Sequence, residues 1–197
     1  MKCAYKQVQQ KERFSAATES MITIYQGISV IALRECFGFG IKRFDRYCGE
    51  VVSDMGDLIA VYQGSEKDKN PDGVIDSYFS ARRTIKDFGV DVDAIDREYK
   101  PDEGMNIVGG KETIRRFTDR KVFLNSVEVS VGVIWCSSMI WLHDTYGYGV
   151  LRLSRYYRRC KEMFREFAQS YLRFDNDKCA KFIQDLRDNC NALGVLI

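Results

Sequence analysis

The chain is 197 residues long, with 45% hydrophobic and 29% charged residues and a formal net charge of +2. These are ordinary values for one compact globular domain, or two small ones sharing a core, and so small a net charge does not by itself indicate nucleic acid. Seven cysteines with no CxxC spacing, and His143 as the one histidine, argue against both a disulfide framework and a structural zinc site. They point instead to buried, reduced thiols in a cytoplasmic protein.

In chain order, residues 1–14 are polar and read as a frayed or surface helix. Lys2, Lys6, Lys11, Glu12 and Arg13 interrupt any apolar core of the kind a signal peptide needs. From Ala16 to Cys36, the residues Ile24, Ile28, Ile31 and Leu33 predict a helix with a buried face. Gly38 and Gly40 interrupt it. A second helix is expected from Ile41 to Tyr62, where Ile41, Phe44, Cys48, Val51, Met55, Leu58 and Tyr62 alternate three and four apart. Residues 64–74 carry loop chemistry in Gly64, Ser65, Asn70, Pro71, Asp72 and Gly73.

A helix is predicted from Ile75 to Phe88, followed by an acidic stretch, Asp91 to Glu103, that reads as irregular or weakly helical. Gly104, Gly109 and Gly110 mark a second loop, and Lys111 to Thr118 suggest a short helix. From Val127 to Val133 the valines alternate with Glu128, Ser130 and Gly132, a pattern that also fits a strand; helix is favoured by analogy with the earlier unit. The apolar run Val129 to Leu142 is about 14 residues, short of the roughly 20 that span a bilayer. It predicts a buried helix and no membrane partner. After Gly147 and Gly149, the three-four alternation returns in Val150, Leu153, Tyr157, Cys160, Phe164, Phe167 and Tyr171. Cys179 to Leu193 supplies a last amphipathic helix through Phe182, Leu186 and Cys190.

The two glycine-punctuated segments align without gaps at an offset of 109 residues. Leu33 pairs with Leu142, Glu35 with Asp144, Gly38 and Gly40 with Gly147 and Gly149, Arg43 with Arg152, Arg46 with Arg155, and Tyr47 with Tyr156. The expected fold is therefore mainly α: two duplicated helix-pair units packed as one helical domain. Residues 1–65 form the first repeat, 66–125 an acidic middle insertion, and 126–197 the second repeat with its C-terminal helix.

Leu33 to Tyr47 and Leu142 to Tyr156 resemble helix-hairpin-helix motifs. In that family a hydrophobic-Gly-hydrophobic-Gly turn joins two helices, with apolar residues six and nine positions after the first glycine; here these are Phe44 and Tyr47, then Leu153 and Tyr156. The resemblance implies contact with nucleic-acid backbone, because glycines allow close approach and helix N-termini favour phosphate. Departures are Phe37 and Tyr146 where the family has proline, and Phe39 and Tyr148 where it has a small aliphatic residue. The Phe-Gly-Phe-Gly-x-x-Arg unit also resembles small uncharacterised proteins of Gram-positive bacteriophages and prophages, which implies a viral origin and no particular activity.

The candidate binding residues are Phe37, Gly38, Phe39, Gly40, Lys42, Arg43 and Arg46 at the first corner. At the second they are Tyr146, Gly147, Tyr148, Gly149, Arg152, Arg155, Arg158 and Arg159. Two other readings stay open. The aromatics and arginines would equally suit a hot spot for a host or defence protein. Glycine corners stapled by aromatics, with arginines paired to Asp45 and Glu50, could also be purely structural. Self-assembly is a further option.

Other motifs fail. Gly110-Lys111-Glu112-Thr113 lacks the P-loop's earlier glycine, with Met105 in its place, and has Glu112 where Ser or Thr is required. Asp91, Asp93, Asp96 and Glu98 lack the glycine and final glutamate of a calcium loop. Cys136 and His143 have no supporting catalytic partner. A non-catalytic binding protein without a cofactor is the expectation.

Overall fold

The computed structural model describes residues 21–52, 71–99 and 111–195, and the protein is mainly helical, with no strand among these residues. Helix α1 occupies 21–37 and α2 Ile41–Tyr47, which runs into a π-helical turn, Cys48–Val52. There follow α3 (Pro71–Asp87), α4 (Val92–Glu98), α5 (Lys111–Val131), α6 (Val133–Tyr146), α7 (Val150–Leu172) and α8 (Asn176–Ala192). None of the helices among the described residues is long and apolar enough to cross a membrane.

Helix α6 is apolar on nearly every side, and Val133, Ile134, Trp135, Cys136, Ser138, Met139 and Leu142 are all buried. A helix of that composition has to be surrounded. Helices α3, α5 and α7 pack around it, as does the π turn. Helix α1 joins them through Tyr25, whose ring stacks on Trp135 at 4.2 Å while its carbonyl accepts the indole N–H at 3.1 Å. Helix α7 buries Leu153, Tyr156, Tyr157, Cys160, Phe164, Phe167 and Leu172 along one stripe, and α8 folds back against it. Between them Phe174 adopts φ 61°, a left-handed conformation that costs a non-glycine residue, and the Arg120 guanidinium lies over its ring at 4.2 Å.

Several boundaries differ from the sequence expectation. Residues 71–74 belong to α3, not to a loop, because Pro71 stands at the first helical position, where its missing N–H costs nothing. The α-helical part of the second helix passes at Cys48 into a π turn that runs to Val52; the rest of the expected helix, residues 53–62, lies outside the described residues, as do 1–20. Helix α5 runs to Val131, well past Thr118. The ambiguous 127–134 stretch is helical and is interrupted only at Gly132, where a Cβ would fall 2.2 Å from the Glu128 carbonyl oxygen and 3.1 Å from Tyr78. The acidic stretch makes one short helix, α4, capped by the Asp91 carboxylate accepting the Ala94 amide at 2.9 Å.

The two glycine corners have matching backbones. Gly38 has φ 64° and donates its amide to the Arg34 carbonyl at 2.8 Å; Gly147 has φ 62° and donates to the His143 carbonyl at 2.8 Å. Each ends its helix in a left-handed residue. A Cβ at either would meet nothing within 4 Å, so only backbone strain opposes a side chain there. Gly38→Ala and Gly147→Ala should therefore each lose about 1–2 kcal/mol in urea unfolding, with smaller losses for Asn; a near-zero loss at either site would contradict the assigned corner geometry.

Candidate functional site

The two corners, remote in sequence, meet in space. Phe37 packs on Tyr148 with ring centroids 4.6 Å apart, and Phe39 on Tyr146 at 5.6 Å, so each corner's first aromatic touches the other's second. Within the corners, Phe37 and Phe39 lie 6.2 Å apart and Tyr146 and Tyr148 5.5 Å apart. Phe39 and Tyr148 are buried, and Phe37 and Tyr146 partly so. The rings thus point inward and staple the corners together; they do not form an exposed aromatic surface.

Beneath the rings lie four hydroxyls at positions 109 apart in pairs. Ser29 Oγ bonds Tyr47 Oη at 2.7 Å and Tyr156 Oη at 2.5 Å, and Tyr47 Oη bonds Ser138 Oγ at 2.8 Å. Ser29 and Ser138 face each other at 3.4 Å, and Ser138 also donates to the Ile134 carbonyl at 2.7 Å. All four residues are fully buried. Burial pushes the Tyr47 phenol up to about 12, against the pull of its bonds to Ser138 and Ser29, and raises Tyr156 strongly.

The basic residues divide into two groups. Arg46 is paired with Glu50 at 2.7 Å, Arg158 with Glu98 at 3.4 Å, and Arg159 with Glu35 at 2.6 Å and Glu162 at 2.7 Å. Lys42, Arg43, Arg152 and Arg155 are exposed and make no ion pair among the described residues. Arg43 and Arg152, at equivalent positions, lie over the buried ring of their own corner, 5.4 Å from Phe39 and 5.0 Å from Tyr148. Gly40 and Gly149 are exposed N-caps with extended backbone (φ −113° and −83°), no side-chain cap, and no atom within 4 Å of where a Cβ would stand. Neither conformation nor packing requires glycine at these two positions.

Sequence reasoning missed a second cluster. The acidic stretch and the basic helix, separate along the chain, meet between α4 and α7. Lys161, only 6% exposed, pairs with Asp96 at 2.9 Å and with Glu128. Arg82 pairs with Asp93 at 2.5 Å and Asp96 at 2.7 Å, and donates to the Tyr78 hydroxyl at 3.0 Å; Tyr157 donates to Asp96 at 2.9 Å. The detectable signal was a charge on an apolar stripe: Lys161 stands four after Tyr157 and three before Phe164, and Arg82 four after Tyr78 and three before Ile85. Burial lowers the Lys161 pKa, but Glu128 and Asp96 outweigh it and the net shift is upward. Lys161 therefore stays charged at neutral pH, and its contribution to stability, full below the ordinary lysine pKa, is lost only as pH rises through the folded value. Hydrogen bonds from Lys86 and Arg82 hold Asp93 below its ordinary range, so its contribution is lost only as pH falls through that lowered value.

Cys136 is no nucleophile in waiting, since burial pushes its thiol up to about 12. His143 stacks on Phe88 at 3.7 Å and bonds the Asp144 carboxylate at 2.8 Å. No group of three or more metal-ligating side chains occurs among the described residues. Neither protein-family models, nor curated proteins, nor solved structures yield a match to this chain.

Replacing Lys161 with Met leaves Asp96 and Glu128 short of a partner in a largely buried setting. The expected loss is about 3 kcal/mol in denaturant unfolding; a loss below about 1 kcal/mol would mean that water already satisfies those carboxylates.

Proposed function

We propose that the protein is a binding protein built from two copies of one helix-corner-helix unit, which together present a paired surface to nucleic-acid backbone. The observation that carries this reading is the pair of bare, exposed N-cap glycines, Gly40 and Gly149, each followed three residues later by an arginine without a carboxylate partner among the described residues. At an N-cap, Ser, Thr, Asp or Asn would stabilise the helix better than glycine. A glycine at both matching corners, where nothing internal calls for one, leaves room for a close anionic ligand. Phosphates then meet Arg43 and Arg152, with Lys42 and Arg155 adding charge. Such contacts position a nucleic acid without reading its sequence.

Arg46, Arg158 and Arg159 are engaged by carboxylates and contribute less to this surface, and the aromatic rings support it from beneath. The alternative, a phage-type protein that binds a host or defence protein, needs exposed aromatic anchors, and the inward rings weaken it.

The test is fluorescence anisotropy with a labelled duplex over a salt series. Affinity should fall with a log–log slope near −0.9 per phosphate contact. Arg43→Ala with Arg152→Ala should flatten that slope by about two contacts. Gly40→Ser with Gly149→Ser should leave thermal stability unchanged or higher, because serine caps helices, while weakening binding about tenfold. Absence of binding at low salt, or serine caps that leave affinity untouched, would overturn the proposal.

A further inference from the structure

Away from the corners, α3, α4, α5 and α7 line a cleft of about 460 Å³ that opens to the surface. That volume lies in the range of small-molecule sites. Five aromatic rings wall it: Tyr78, Phe79, Tyr99, Phe117 and Phe164. Phe79 is 51% exposed, which is unusual for a phenylalanine beside available apolar space.

The polar floor is the ion network already described. Its three carboxylates, Asp93, Asp96 and Glu128, are accounted for by Arg82, Lys161 and, from outside the cavity, Lys86. Arg165 also lines the cavity, and no carboxylate pairs with it among the described residues. Its Nε is buried without a hydrogen-bond partner, so the guanidinium has no internal acceptor at that atom. A guanidinium on an aromatic wall without a carboxylate partner favours an anion as its ligand.

The geometry points to a binding site for a small planar aromatic anion, its ring between the aromatic walls and its carboxylate or other acidic group on Arg165. The floor is balanced, so it repels neither sign strongly, and the surplus donor selects the anion. Aromatic walls favour a flat π-system through offset and edge-to-face contacts. Nothing in this assignment depends on the glycine corners, and the two can fail separately.

Three probes of one shape decide it: 2-naphthoate, the neutral 2-naphthylmethanol and the cationic 2-naphthylmethylammonium, titrated calorimetrically into the full-length protein and followed by thermal shift. Naphthoate should bind one saturable site at submillimolar concentration and raise Tm. The alcohol should bind at least tenfold more weakly, and the ammonium should not bind. Arg165→Gln should reduce naphthoate affinity about tenfold without changing the alcohol's, a difference that a general loss of structure would not produce. Asn125→Trp, which places a ring on an exposed lining position, should block both. No saturable binding of naphthoate at millimolar concentration, equal affinity for acid and alcohol, or an unchanged ratio in Arg165→Gln would each overturn the assignment.

Discussion

Four hydroxyl groups joined in the middle of an apolar core set the arrangement of everything around them. A buried hydroxyl without a partner costs more than a bonded one gains, so Ser29, Tyr47, Ser138 and Tyr156 are satisfied only if α1, α2, α6 and α7 meet in one register. Apolar packing alone tolerates small slides between helices; a connected chain of short O–H···O bonds does not. With these helices fixed, Phe37 and Phe39 arrive against Tyr148 and Tyr146, the corners come side by side, and Arg43 and Arg152 end up on the surface above them. The contacts are reciprocal: Phe37 meets Tyr148 as Tyr146 meets Phe39, and Ser29 meets Tyr156 as Ser138 meets Tyr47.

The helical architecture was largely legible in the sequence, because the stripes in α7 and α8 follow the 3.6-residue period closely, while α6 was marked by the length of its apolar run and not by any period. The corners were legible too. Glycine at φ above +60° leaves a mark at Gly38 and Gly147 that few other residues can replace. What could not be read was pairing across space. Arg43 and Arg46 look alike in sequence, yet Arg46 is held by Glu50 while Arg43 lies over Phe39. Arg158 and Arg159 look like part of a basic patch until α4 and α1 bring Glu98 and Glu35 to them. The direction of the aromatic rings was equally hidden, since residues beside a glycine turn can face either way. The start of α3 was obscured by Pro71, which signals a loop in composition but a first helical turn in geometry.

Charge in this protein therefore does two jobs at separate places. Between α3, α4, α5 and α7 it is turned inward, with Lys161 and Arg82 desolvated and held by carboxylates in an otherwise aromatic setting. Such networks add less net stability than they specify arrangement, because each ion gives up its hydration. At the corners Arg43 and Arg152 are turned outward, without an ion pair among the described residues, over rings that hold them in matching positions.

The central claim is that the two corner units are locked together through shared hydroxyls. A double-mutant cycle of Tyr47→Phe and Tyr156→Phe, read by urea unfolding, addresses it directly. Both phenols bond Ser29, so each single change should cost about 1 kcal/mol and the pair should depart from additivity by at least about 0.5 kcal/mol. Additive losses within about 0.3 kcal/mol, or no loss in either single variant, would show that the hydroxyls act independently and that the register of the two units is set elsewhere.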